Sequence, residues 1–150
     1  MSKLANVWVF SDNVERYAEL MSGARLWGEQ VHLIVQGNEQ ANQVKPLGAD
    51  EIVVLETTSG LQRVENFAET IAALIQEHTG LLLMPATKRA KSLGARLSIQ
   101  LNAAMVNDAT SVTLDDGSLF AEHRMYGGLA FGKEKIKTTQ AIITLAPGVL

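Results

Sequence analysis

The sequence has 150 residues, 47% of them hydrophobic and 19% charged, with three prolines and a net charge of −3. A chain of this size fits one domain, burying roughly 70% of its unfolded surface, and its charge excludes a general nucleic-acid or membrane footprint. The absence of cysteine excludes disulfides, a thiolate nucleophile and cysteine-ligated zinc or iron–sulfur.

The opening stretch, MSKLANVWVFSDN, lacks the apolar region of a signal peptide, and no run reaches the about 18 apolar residues that span a bilayer. A cytoplasmic protein is expected. Val7-Trp8-Val9-Phe10 is long enough for a buried strand and too short for a helix. Ser11-Asp12-Asn13 follows as turn chemistry, and Asp12 with Glu15 has capping-box spacing. Val14, Tyr17, Ala18, Met21 and Ala24 then share one helical face. A second apolar run covers Val31 to Val35, and a short helix over about 39–45 stops at Pro46-Leu47-Gly48. Ile52 to Leu55 makes a third strand. Val64, Phe67, Ala68, Ile71, Leu74, Ile75 and His78 recur at helical spacing. Leu81 to Met84 is the fourth strand, and a basic helix follows.

Four strands alternating with helices predict right-handed βαβ units and a mainly parallel sheet covered on both faces, an α/β three-layer sandwich. From Thr110 the pattern changes to strands alone. Thr110 to Leu114 alternates, and Asp115-Asp116-Gly117 turns the chain. Ser118 to Tyr126 and Leu129 to Ile136 flank Gly127-Gly128, which suits an antiparallel hairpin. Ala141 to Leu145 is a last apolar run, and the residues after it, Ala146 to Leu150, read as a boundary. The β-rich segment extends or edges the same sheet, and the hairpin can pack at home or swap onto a neighbour.

The basic helix carries the most chemistry. Its buried face is Ala90, Leu93, Gly94, Leu97 and Leu101, with Lys88, Arg89, Lys91 and Arg96 over the rest. Cations in a first turn oppose the helix dipole, at roughly a few tenths of a kcal/mol each. No carboxylate lies between His78 and Asn107, so no local pair neutralises them. Gly94 costs up to about 1 kcal/mol in helix propensity, which implies close packing of another backbone. Thr87 is the expected N-cap, at the carboxyl edge where open α/β sheets bind ligands. Thr87, Lys88 and Arg89 are therefore candidates for an anion site. Against that, no Walker A or GxGxxG motif precedes the helix, and Pro85 removes an amide donor. A solvated or partner-facing surface is the favoured reading. Asn107-Asp108 is expected to cap or turn the chain after this helix.

The remaining polar residues do not assemble a site. His32 lies inside a strand run, His78 ends a helical face, and His123 alternates with Leu119, Ala121 and Met125. No spacing suits a metal. The glycine-rich Gly127 to Gly132 stretch lies between strands, and no GxSxG elbow occurs.

Three segments, MPATKRAKSLGARLSIQLNAAMVNDAT, HRMYGGLAFGKEKI and AIITLAPGV, together with the opening VWVFSDN, resemble the N-terminal domain of the electron transfer flavoprotein alpha subunit. The likeness covers all 150 residues and is greatest to the Fix-type branch associated with anaerobic carnitine or acyl-CoA reduction. The wider family often carries arginine where this chain has His123, and asparagine where it has Leu129. The resemblance implies an adenine-nucleotide-hydrolase-like, Rossmann-like sandwich. It further implies that FAD in the full-length complex is bound mainly by a C-terminal domain outside residues 1–150, with no cofactor and no catalytic residue on this chain. The implied partners are the electron transfer flavoprotein beta subunit and, through the complex, acyl-CoA dehydrogenase-type or ferredoxin-type redox proteins; a homodimer is possible for the isolated domain. Lys91, Arg96, His123, Arg124 and Tyr126 are candidates for the beta-subunit interface. The other reading is a stand-alone adenine-nucleotide-binding protein similar to universal stress proteins, holding a phosphate on Thr87, Lys88 and Arg89.

Overall fold

The structure is a computed structural model, which describes residues 3–55, 67–76, 80–115, 118–125, 130–136 and 140–146. The expectations on Val64, His78, Asp116-Gly117, Tyr126 and Gly127-Gly128 lie outside the described residues. The first half alternates: β1 (Leu4–Phe10), α1 (Tyr17–Trp27), β2 (Gly28–Gln36), α2 (Gly37–Val44), β3 (Glu51–Leu55), α3 (Ala68–Ile75), β4 (Gly80–Pro85) and α4 (Lys88–Leu101). The second half is strands alone: β5 (Ala104–Asp115), β6 (Ser118–Met125), β7 (Ala130–Ile136) and β8 (Gln140–Leu145).

These form one sheet in the order β3-β2-β1-β4-β8-β5-β6-β7. Strands β1 to β5 and β8 run parallel, and β6 and β7 are antiparallel additions at one side. The expected three-layer α/β sandwich is therefore present, hairpin included. Strand alternation sorts the core into two layers. Val7, Val9, Val31, Leu33, Leu81 and Leu83 face α1 through Tyr17, Leu20, Met21 and Trp27. Trp8, Phe10, Ile34, Leu82 and Met84 face α3 and α4 through Ile71, Ile75, Leu93 and Leu97. Periodicity misplaced part of α1, whose buried face includes Leu20 and Trp27 while Ala18 is exposed.

Three expectations need correction. The chain enters β5 at Ala104, not Thr110. Asn107-Asp108 is no cap but part of an irregularity inside β5, between Val106 and Ala109, with Asp108 at φ 55°. The cap belongs to Asn102, also left-handed at φ 52°. Gly94, third, is pressed by side chains and not by backbone: an added Cβ would meet Met105 Cε at 2.5 Å and Met84 Cε at 3.0 Å.

Gly80 is different, because its missing Cβ would lie 2.1 Å from the backbone oxygen of Asn6, its register partner on β1. Flexible methionine ends can move and a hydrogen-bonded strand cannot. Gly80→Ala is expected to cost about 2–3 kcal/mol. Gly94→Ala should stay within about 1 kcal/mol, its gain in helix propensity offsetting the methionine shift. Urea unfolding midpoints of the two variants measure the contrast.

Asp50 joins β3 to β2: its Oδ2 accepts from Val31 N at 2.8 Å and from Arg25 Nη1 at 2.9 Å. The Val31 amide, with help from Arg25, holds the Asp50 carboxyl below the usual range. A depressed folded value means the contribution is full above the unfolded value of about 4 and is lost as pH falls through the folded one. Between pH 5 and pH 3, Asp50→Asn is expected to lose less of its remaining stability than the parent, as read by urea midpoints at each pH.

Candidate functional site

The connection from β1 runs through α1 to β2, while β4 lies on the other side of β1. This is a topological switch point, and in open α/β sheets the crevice beyond it at the carboxyl ends of the strands is the ordinary ligand position. Here that crevice lies between Ser11-Asp12-Asn13 after β1 and Ala86-Thr87 after β4.

The protein's own side chains bridge it. Thr87 caps α4 as expected, its Oγ1 accepting from Ala90 N at 3.1 Å. The same hydroxyl donates to Asp12 Oδ1 at 2.9 Å across the switch point. Asp12 therefore does not form the capping box with Glu15; Asn13 caps that first turn, its Oδ1 accepting from Glu15 N at 3.0 Å. A carboxylate beside a basic first turn favours both partners, since helix N-termini attract negative charge.

Beneath the bridge the loop after β1 is locked from inside. Tyr17 is fully buried. Its hydroxyl accepts from Ser11 N at 3.1 Å and donates to Ile34 O on β2, with Ser11 O at 3.2 Å. Burial pushes the Tyr17 phenol well above its ordinary range, so it stays a neutral donor. Ser11 Oγ bonds Asn13 O and Asn13 N at 2.6 and 3.0 Å. Arg16, paired with Glu19 at 3.2 Å, reaches Leu145 O at 3.5 Å.

The β5 irregularity supplies the far wall. Lys91 Nζ meets Asp108 Oδ2 at 2.7 Å, so the basic cluster is not wholly uncompensated, as the missing carboxylates in its stretch implied. The partner lies one residue past that stretch. Asp108 N donates to Thr144 Oγ1 at 2.9 Å, and Thr144 Oγ1 donates to Asn107 Oδ1 at 3.1 Å. Among the described residues the buried polar side chains besides Tyr17 are Ser11 and Thr144, both at this edge. Sequence reasoning missed both, although each marks an apolar run whose polar neighbour needed a partner.

The structure thus brings Thr87 and Lys91 together with Asp12, Asp108 and Thr144. Lys88 and Arg89 are exposed on the first turn, and Arg96 is exposed further along α4. His123 and Arg124 fall on β6, opposite Gly132 and Phe131 of β7, and Tyr126 lies outside the described residues. Among the described residues no group of three or more His, Asp or Glu could hold a metal. A pyrophosphate placed on the first turn of α4 would meet the Asp12 carboxylate, and like charges at hydrogen-bond range repel.

Strand order, helix placement and this edge define a doubly wound α/β domain of the Rossmann-like class. Comparison with known proteins gives the family. The family model described as "Electron transfer flavoprotein domain" matches residues 15–150. The chain is 61% identical over 150 residues to a protein named as electron transfer flavoprotein subunit YdiR of Escherichia coli (strain K12). It is 41% identical to Protein FixB of Salmonella typhimurium (strain LT2) and 39% identical to Protein FixB of Escherichia coli O127:H6. Each match covers 99% of this chain and 48% of the relative, so the chain spans about half the length of the curated relatives it matches. The chain belongs to the electron transfer flavoprotein domain family.

Because Tyr17 satisfies Ser11 N and reaches Ile34 O from a fully buried position, Tyr17→Phe is expected to cost about 1–3 kcal/mol, the penalty for leaving buried backbone groups unpaired. Equilibrium unfolding measures it. Hydrogen exchange at Ser11 should accelerate in the same variant.

Proposed function

We propose that this domain is the N-terminal scaffold of an electron transfer flavoprotein alpha subunit, docking the beta subunit. The flavin is carried by polypeptide outside residues 1–150. The whole complex would pass electrons to or from an acyl-CoA dehydrogenase- or reductase-type system, with a ferredoxin-type protein as a further partner class. The observation that carries the scaffold reading is the Asp12–Thr87 bridge. It fills the position where folds of this class hold a nucleotide phosphate. The same contact weighs against the stand-alone adenine-nucleotide-binding alternative, because Thr87 is already used by its own helix and by a carboxylate.

Support for docking comes from α4. No carboxylate lies on the helix, and Lys88, Arg89 and Arg96 are exposed along it. Ile99, 82% exposed, stands one turn beyond Ala95 and Arg96. An apolar residue among cations suits a partner that brings carboxylates around a hydrophobic contact. His123 and Arg124 on β6 are proposed as further interface residues, as is Tyr126, which lies outside the described residues. No helix among the described residues is long and apolar enough to cross a membrane.

Two measurements test the reading. Charge reversal at Lys88 and Arg89 should weaken beta-subunit association about tenfold at low salt, with the difference shrinking at high salt as screening grows. Equal affinity at low salt would remove these cations from the interface. Calorimetry with AMP and ATP should give no heat of binding; micromolar affinity, or a chain that keeps stoichiometric flavin through gel filtration, would overturn the scaffold assignment.

A further inference from the structure

A second polar cluster lies away from the carboxyl edge, on the α3 face near the start of the strands. Trp8 on β1 and His32 on β2 are direct register partners, and their rings stack at 5.2 Å with 21° between planes. His32 is in turn the register partner of Glu51 on β3. The imidazole Nδ1 lies 2.8 Å from Glu51 Oε1 and Nε2 lies 2.9 Å from Asn6 Oδ1. These four side chains, with Val53 and Leu74, line a groove of about 200 Å³.

The ring is held on both edges and on one face. That leaves it no free nitrogen for acid–base work, and the residue also lines the groove. The Glu51 side chain is 56% exposed and the His32 side chain 15%. One carboxylate oxygen takes the imidazole, and a carboxylate offers about four lone-pair positions, so capacity remains. Among the described residues the lining includes no lysine or arginine. Val53 and Leu74 give an apolar wall beside the ring. Ligand pockets for whole small molecules run about 300–1,000 Å³, so this groove suits one side chain and not a nucleotide.

We propose that the Asn6–Trp8–His32–Glu51 groove is an anchor site for an arginine side chain presented by a partner protein. A guanidinium is planar and weakly hydrated, stacks on aromatic faces and pairs with a carboxylate in a fork. Its methylene stem would lie along Val53 and Leu74 as long cationic side chains do. Charge complementarity selects the occupant: among the described residues the groove brings a carboxylate and no lysine or arginine, so an acidic or phosphorylated group is repelled. Lysine satisfies the charge and forfeits the stacking and the fork. The groove is lined by residues of β1, β2, β3 and α3 and by none of α4, and its test is independent of the docking reading above.

The test is a titration of the 150-residue chain with N-acetyl-arginine amide at pH 8, followed by amide and indole NMR shifts. The expected result is saturable shifts at the Trp8 indole and the Glu51 and Val53 amides. A dissociation constant of about 1 mM is expected, from about 0.3 kcal/mol per heavy atom. Glu51→Gln should weaken binding at least about fivefold, and N-acetyl-lysine amide should bind at least about fivefold more weakly than the arginine compound. Glu51 is exposed, so the variant should keep its fold, and its unshifted core amides check this. Shifts that stay linear to about 20 mM, equal affinity in Glu51→Gln, or equal affinity for the lysine compound would each overturn the proposal.

Discussion

The insertion of β8 between β4 and β5 holds the two halves of this protein together. Residues Gln140 to Leu145 pair in parallel with Gly80 to Pro85 on one side, and β8 also pairs in parallel with β5 from Ala104 on the other. Without β8, β5 has no neighbour through which to join the α/β half, and the antiparallel β6–β7 arm has nothing to extend. The strand is buried along most of its length, as a parallel strand covered on both faces must be. The pairing is also costly in chain entropy, because β4 and β8 are about sixty residues apart in sequence and loop closure precedes any gain. Thr144 then sets the β5 irregularity by accepting from Asp108 N, and Ile142 forms part of the surface on which Gly94 of α4 rests.

That irregularity ties the fold to the charge pattern. A residue in left-handed conformation at Asp108 turns its carboxylate toward Lys91, while Asp12 approaches Thr87 from the other side. The Lys91–Asp108 pair contributes little to stability, because half-exposed ion pairs are worth about 0–1 kcal/mol. The consequence of the two contacts is spatial. Two carboxylates flank the first turn of a helix that carries none, so the crevice is filled from within and the remaining positive charge is displaced outward along α4. With the crevice bridged in this way, the exposed cations Lys88, Arg89 and Arg96 lie on the outer surface of α4.

Much of this was legible in the chain itself. Short apolar runs alternating with amphipathic stretches located β1 to β4 and α1 to α4, because a strand of a doubly covered parallel sheet must be apolar on both faces. Thr87 was readable as a cap from its place between an apolar strand and a helical pattern. The β-rich second half was readable too, down to the β6–β7 hairpin, since alternation and turn residues are local signals. Gly94 was read correctly as tight and wrongly as a backbone contact, because helix propensity registers only that something displaces a side chain, not what.

What the sequence determined by itself is therefore everything encoded within one element or one turn: strand against helix, buried face against solvent face, cap and hairpin, and the excess of cations on α4. Tertiary structure alone decided which distant residues meet. It placed β8 between β4 and β5, set Asp12 against Thr87 and Asp108 against Lys91, and stacked His32 on Trp8 beneath Glu51. Periodicity reports the environment of a face and carries no information on the identity of the residue opposite. Those partners lie 75, 17, 24 and 19 residues apart, and only the register of the folded sheet brings them within hydrogen-bond or stacking range.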